Sequence, residues 1–387
     1  MKKALYGELS VIGLPGSESF VQQVDRYLRE WRKSGEGETF LSGVECPRFG
    51  TGEAKALLHE SMRGHDVYLF CDAFNYGVTY EMYGRQVPMS PDDHFANLKR
   101  TIAALAGKAR RISVIMPLLY EGRQHKRAAR ESLDCAVMLQ ELDTIGVKNI
   151  ITFDAHDPRV QNSVPFCGFD DVRPTYQMLK ALVREYPDIS LDKEDIVIIS
   201  PDEGAMGRCM YFSSVLGLDI GMFYKRRDYS KVVNGRNPIV AHEYLGSDLA
   251  GKDVIIVDDM ISSGDSLIDV ALQLKEKGAK RIFNFATFGL FTDGLEKFDR
   301  AYEEGVFTRI FTTNLVYQTP ELLQRSWYAQ VNMCKYVAYI IDTLNHDATI
   351  SNLLNPVQRI HKLLDKHKKD QGGQMEMSFG EHKDEQK

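Results

Sequence analysis

The chain has 387 residues, 43% hydrophobic and 26% charged, with a formal net charge of −6. Such a composition is that of a soluble globular protein, and the length exceeds one ordinary domain and fits two. The negative balance argues against a general nucleic-acid binder, although a local basic site remains open, and no apolar run approaches a membrane span.

The opening MKKALYGELSVIGLPG has two lysines but no long apolar core before Glu8, so it reads as a poor signal peptide and a cytoplasmic location is expected. Strand-like runs follow at DVYLF (66–70), ISVIMPL (112–118), NIITFD (149–154), DIVIIS (195–200), GMFY (221–224) and DVIIVDD (253–259). Helical patterns lie between them at RESLDCAVMLQELDTIG (130–146), TYQMLKALVREY (175–186) and GAMGRCMYFSSVLG (204–217). This alternation predicts α/β architecture with mainly parallel sheets and right-handed crossovers. It runs twice, which predicts an N-terminal domain over 1–172 and a C-terminal domain over 173–355. The boundary falls near VPFCGFDDVRP, where Gly168 and Pro174 interrupt the pattern. No sequence repeat marks a duplication. Residues 365–387 are charged and aromatic-poor and read as a disordered tail. Cys46, Cys71, Cys135, Cys167, Cys209 and Cys334 form no close pair, so they read as reduced thiols rather than a zinc ribbon or a disulfide framework.

No GxxxxGK[ST] element is present and no GxGxxG follows a strand, so phosphate handling must rest on other loops. VIIVDDMISSGDSL (254–267) ends an aliphatic strand on two aspartates and continues into a small, hydroxyl-rich loop before a helix. Ligands sit at the C-terminal edge of such a sheet. Small residues let the backbone approach an anion, and the amides of a helix start point at it. An Asp at a strand end often only caps the next helix. The doubled Asp and the five-residue loop favour a sugar phosphate, whose hydroxyls need acceptors and whose phosphate needs donors. YEGRQHKRAAR (120–130) reads as a solvated helix start, or as cations placed to neutralise a triphosphate. TFDAHDP (152–158) sets His156 among carboxylates, with FDD (169–171) supplying more, a plausible Mg²⁺ site. SPDEGAMGR (200–208) and YKRRDYSKVVNGRN (224–237) close further strands.

Together these elements resemble, in order, the motifs of the ribose-phosphate diphosphokinases, the PRPP synthetase family. The loop at 254–267 alone is shared with the phosphoribosyltransferases. RFGTGE (48–53) resembles the family's adenine-contacting Arg-Phe-Ser-Asp-Gly-Glu, and GRQHKR is similar to its Arg-Gln-Asp-Arg-Lys. FDAHDPRVQ, SPDEGAMGR and YKRR resemble three more, the last opening the family's catalytic loop, and YVAYIIDTLNHDATISNLL resembles its last helix. The resemblance spans about residues 40–355. It implies two tandem phosphoribosyltransferase-type domains with the active site between them. It also implies Mg²⁺-dependent transfer of the β,γ-diphosphoryl group of ATP to the C1 hydroxyl of ribose 5-phosphate, giving PRPP and AMP. Lys225 and Arg227 would then be catalytic, and His156 and Asp170 would hold Mg²⁺. Phe49, Glu53, Arg123 and Gln124 would hold ATP, with the adenine bound across a subunit interface. Asp258 and Asp259 would take the ribose hydroxyls, and Ser262, Ser263, Gly264, Asp265 and Ser266 the 5-phosphate. The partners implied are ATP, ribose 5-phosphate and further copies of the chain in a dimer-based homo-oligomer, with a hexamer as one form.

Four positions depart from the family pattern: Thr51 and His125 where it has Asp, Ser262 for an Asp, and Asp265 for a Gly. Asp265 sets a carboxylate where a dianionic phosphate would sit. An insertion, NYGVTYEMYGRQVPMSP (75–91), lengthens the N-terminal half and reads as a surface loop. Three alternatives stay open: a larger acceptor such as ADP-ribose, a salvage phosphoribosyltransferase, and a non-catalytic regulatory homologue.

Overall fold

The computed structural model describes residues 5–227 and 239–381, with the backbone alone at 225–227, 239–242 and 372–381. Two compact units are present, each assembled from separated stretches of chain. The first holds the chain up to Pro174, Asn314–Thr319 and Asn332–Leu354. The second holds Thr175–Thr313, Pro320–Val331 and the chain from Asn355 onward.

The first unit begins with strand β1 (Glu8–Gly13), helix α1 (Glu18–Arg32), the short pair β2 (Val44–Glu45) and β3 (Leu57–Leu58), and β4 (His65–Phe70). A hairpin of β5 (Thr79–Met82) and β6 (Arg85–Pro88) follows, then α2 (Pro91–Leu105), β7 (Arg111–Ile115), α3 (Asp134–Thr144), β8 (Asn149–Phe153) and β9 (Gly168–Val172). Strands β1, β4, β7, β8 and β9 form one parallel sheet in that order. Val67, Leu69, Val114 and Ile150 are fully buried, because both faces of a parallel sheet are covered. Helix α2 starts sharply: Ser90 and Asp93 form a reciprocal capping box, with Pro91 first in the helix.

The second unit contains α4 (Thr175–Glu185), β10 (Ile196–Ser200), α5 (Met206–Leu216), β11 (Asp219–Arg227), β12 (Ile239–Leu245) and β13 (Asp253–Ile261). It continues with α6 (Asp265–Glu276), β14 (Arg281–Gly289), α7 (Glu296–Glu303), β15 (Arg309–Thr313), α8 (Pro320–Leu323) and β16 (Tyr328–Val331). Its sheet order is β12-β11-β10-β13-β14-β15-β16, parallel except where β12 runs antiparallel to β11. The chain then returns to the first unit through α9 (Cys334–Asn345) and α10 (Ser351–Leu354), and ends in the second with α11 (Val357–Glu381).

Each unit is thus a mainly parallel sheet flanked by helices, the expected fold class. Three expectations need correction. A C-terminal domain over 173–355 is not what forms, because residues 332–354 pack within the first unit. There Tyr339 stacks on Trp31 at 4.2 Å, and Arg32 reaches Asp342 at 2.8 Å and Asn345 at 2.9 Å. The tail expected to be disordered from 365 is helical to Glu381. On it Ile360 is buried, and His367 and Gln371 both bond the Ile189 carbonyl at 2.8 Å. Residues 382–387 lie outside the described residues. The loop expected over 75–91 contains the β5–β6 hairpin. Among the described residues, no helix is long and apolar enough to cross a membrane.

Candidate active site

In the first unit the RFGTGE segment is a tight turn closed by Phe49 N–H to the Glu53 carbonyl and Gly52 N–H to the Phe49 carbonyl, each at 2.8 Å. The turn leaves Phe49 56% exposed. Thr51, one of the departures, donates its hydroxyl to Glu53 at 3.1 Å, which fixes the glutamate within the turn.

The basic loop after β7 is not the helix start expected from residue 130, since α3 begins at Asp134. It is a coil held by its own side chains. The Gln124 amide donates to the carbonyls of Lys126 and Ser132 at 3.4 and 3.0 Å, and the Glu131 carboxylate accepts from the amides of Ala128 and Ala129. Gln124 therefore shapes the loop, while Arg123 stands exposed. His125 lies 3.5 Å from Asp157, with its ring 5.3 Å from that of His156. Burial pushes the His125 pKa down, against the pull of Asp157. The Arg159 guanidinium, bonded to Asp157, holds that carboxyl well below the usual range. Asp157 links two loops that the sequence reading treated apart.

His156 is exposed just after β8. On β9, Asp170 and Asp171 point to opposite faces of the strand. Asp171 accepts the Ala155 amide at 2.9 Å and so fixes the backbone leading into His156. Burial raises Asp170 above the ordinary Asp range. Among the described residues, no three or more His, Cys, Asp or Glu side chains converge as a metal cluster.

In the second unit β13 continues two residues past the paired aspartates, to Ile261. Partial burial and then the adjacent Asp259 carboxylate raise Asp258 well above the ordinary range. Arg208 of α5 faces both, 3.9 Å from Asp258 and 3.7 Å from Asp259. No local sequence signal marks Arg208, because the pairing joins residues some fifty apart in the chain. Asp202 closes the turn before α5, accepting the Gly204 and Ala205 amides at 2.9 and 3.2 Å.

The loop 262–266 turns on Gly264, whose φ is +90°. A Cβ there would lie 2.0 Å from the Phe298 ring, so the turn needs glycine for its conformation and for its close approach. Helix α6 starts at Asp265, directing its first amides toward the loop. The Asp265 carboxylate accepts from Lys297 at 2.6 Å and from the Ser263 hydroxyl at 3.0 Å, and is 72% exposed. Lys297 lowers its pKa, so the extra negative charge is paired. Lys225 and Arg227 stand at the end of β11, in backbone register with β12. Their side chains, and the rest of the loop to residue 238, lie outside the described residues.

Two family models match the chain. Residues 9–146 match the N-terminal domain of ribose phosphate pyrophosphokinase, and residues 175–325 match a phosphoribosyl transferase domain. A ribose-phosphate pyrophosphokinase of Vibrio cholerae is 28% identical over 320 residues, covering 81% of this chain and 92% of that protein. One from Buchnera aphidicola is 30% identical over 262 residues, covering 66% and 74%. The crystal structure of a phosphoribosylpyrophosphate synthetase from Mycobacterium smegmatis superposes with a TM-score of 0.72 at 21% identity, covering 88% of this chain and all of that one.

Proposed function

The chain belongs to the ribose-phosphate pyrophosphokinase family, and from that premise we propose that it makes PRPP and AMP from ATP and ribose 5-phosphate. The observation that carries this reading is the second unit's strand end. Asp258 and Asp259 stand there beside Arg208, directly before a glycine-turned loop and a helix start. Two hydroxyl-binding carboxylates next to an anion cradle suit a sugar phosphate and little else.

The acceptor's C1 hydroxyl oxygen forms a bond to the β-phosphorus of ATP while the bond from that phosphorus to the AMP oxygen breaks. Such transfer needs positioning and charge neutralisation more than covalent help. Asp258 and Asp259 accept the ribose hydroxyls, and the amides and hydroxyls of Ser262–Ser266 hold the 5-phosphate. Lys225 and Arg227 meet the charge that develops on the transferred group. Phe49 and Glu53 take adenine, and Arg123 takes the triphosphate, whereas Gln124 acts by holding the loop that carries it.

Magnesium fits the donors of the first unit. Mg²⁺ characteristically uses one or two protein groups and completes its shell with phosphate oxygens and water, a demand that a carboxylate beside a triphosphate can meet. Asp170 and His156 are the residues proposed to hold it, and when bound it neutralises triphosphate charge. His156→Ala is expected to raise the Mg²⁺ concentration giving half-maximal activity without altering the circular dichroism spectrum. An unchanged Mg²⁺ titration would remove His156 from the metal.

The Lys297 pairing supports the smaller acceptor over ADP-ribose, because a cation offsets the charge that Asp265 adds to the loop. Asp265→Gly should therefore change the KM for ribose 5-phosphate by less than about tenfold, or roughly 1.4 kcal/mol. A far larger gain in affinity would place the carboxylate inside the cradle. The reading as a whole is tested by AMP release from Mg²⁺-ATP with ribose 5-phosphate or ADP-ribose as acceptor. Release with ADP-ribose alone would overturn it.

A further inference from the structure

The inserted hairpin is fastened to the turn that carries Phe49 and Glu53. Its tip is a two-residue reversal in which Tyr83 and Gly84 both have positive φ, and there the Tyr83 amide donates to the Gly50 carbonyl at 2.9 Å. Gly52, at φ +95°, lies so near the hairpin that a Cβ would come 2.8 Å from the Met82 sulfur.

Arg48 ties the two together. Its guanidinium lies 4.2 Å from the centre of the Tyr80 ring and donates to the Gly52 carbonyl at 2.9 Å and to Asp93 at 3.0 Å. The Tyr80 hydroxyl reaches the same Asp93 carboxylate at 3.4 Å. The Arg48 side chain is only 7% exposed, and its Nε and Nη2 have no hydrogen-bond partner among the described residues. The flat face of Tyr80 is what this buried cation has in their place. The result is a rigid base beneath the turn, from which Phe49 projects into solvent.

We propose that the β5–β6 hairpin is a brace that fixes this turn for recognition of the nucleotide base, with Tyr80 and Arg48 as positioning residues. The inference rests on the reading above that Phe49 and Glu53 take adenine. It gives the insertion a task that a surface loop would not have. A stacking ring and a carboxylate discriminate between bases only when their separation and orientation are held.

The test compares Tyr80→Ala, Tyr80→Phe and Arg48→Lys with the wild type. It measures equilibrium binding of ADP and GDP, KM for ATP and for ribose 5-phosphate, kcat, and the thermal midpoint. Tyr80→Ala and Arg48→Lys should raise Kd for ADP and KM for ATP at least tenfold and narrow the preference over guanine nucleotide. The KM for ribose 5-phosphate should stay within twofold. Tyr80→Phe keeps the stacking face and should restore wild-type affinity within about threefold. Folded Tyr80→Ala with unchanged ADP affinity would overturn the brace, as would a parallel rise in both KM values. Wild-type protein that binds ADP but releases no AMP would sink the reaction while leaving the brace to be judged on Kd. Wild-type protein that binds no adenine nucleotide would overturn both.

Discussion

Lys225→Ala is expected to lower kcat by on the order of a hundredfold, about 2.7 kcal/mol of barrier, while leaving the fold intact. Lys225 lies near the end of β11, where backbone pairing with His242 of β12 fixes the strand whatever side chain stands there. Truncation therefore removes a charge without opening the sheet. A cation that meets charge developing on the transferred group acts in the transition state, so kcat should fall while the KM for each substrate moves little. Arg227→Ala should act in the same direction. Single-turnover AMP release with a parallel thermal melt checks both. Near-wild-type turnover in the folded Lys225 variant would remove that residue from the mechanism.

Arg111→Ala is expected to destabilise the first unit by about 3–5 kcal/mol, because it strands a buried carboxylate. Asp66 is fully buried, and Arg111 grips it with two bonds, 2.7 Å from Nε and 2.6 Å from Nη2. The same guanidinium donates to the Leu344 carbonyl at 2.8 Å and stacks over Tyr6 at 4.1 Å. Asn345 of α9 donates to Asp66 at 2.9 Å, so the network joins β4, β7 and the returning helix. Urea unfolding followed by far-ultraviolet circular dichroism should show the loss as a lowered midpoint. A shift under 1 kcal/mol would mean that water or protonation compensates Asp66.

Much of the fold was legible because the central strands are unmixed aliphatic runs. Val197–Ile199 and Val254–Val257, short and rich in β-branched residues, read as strands covered on both faces. Two of the strands that escaped carry the wrong pattern for that test. β9 is GFDDV, whose two aspartates make it look like a loop, and β14 is RIFNFATFG, whose buried Asn284 and Thr287 interrupt the apolar run. The phosphate loop was legible since glycine, hydroxyls and a helix start are local features. The pairings of Arg208 with Asp259, of Asp157 with His125 and of Lys297 with Asp265 were not, for each joins partners brought near only by the fold. In α11 the charged composition hid the helix, although Ile360, His367 and Gln371 share the packed face. Composition measures the solvent side of an amphipathic helix as heavily as its buried side.

The discontinuous first unit has a consequence for how the chain is made. Its sheet leaves the ribosome early, yet α9, which caps Asp66 and stacks on Trp31, lies beyond almost the whole second unit. At about 5–20 residues per second, synthesis must continue for roughly nine to thirty-four seconds after Pro174 before that helix is complete. Throughout that interval the surface of α1 that receives α9 stays uncovered. A ribosome stalled after the first sheet would hold a nascent chain lacking the helix that completes its core, and chaperone capture should be greatest then.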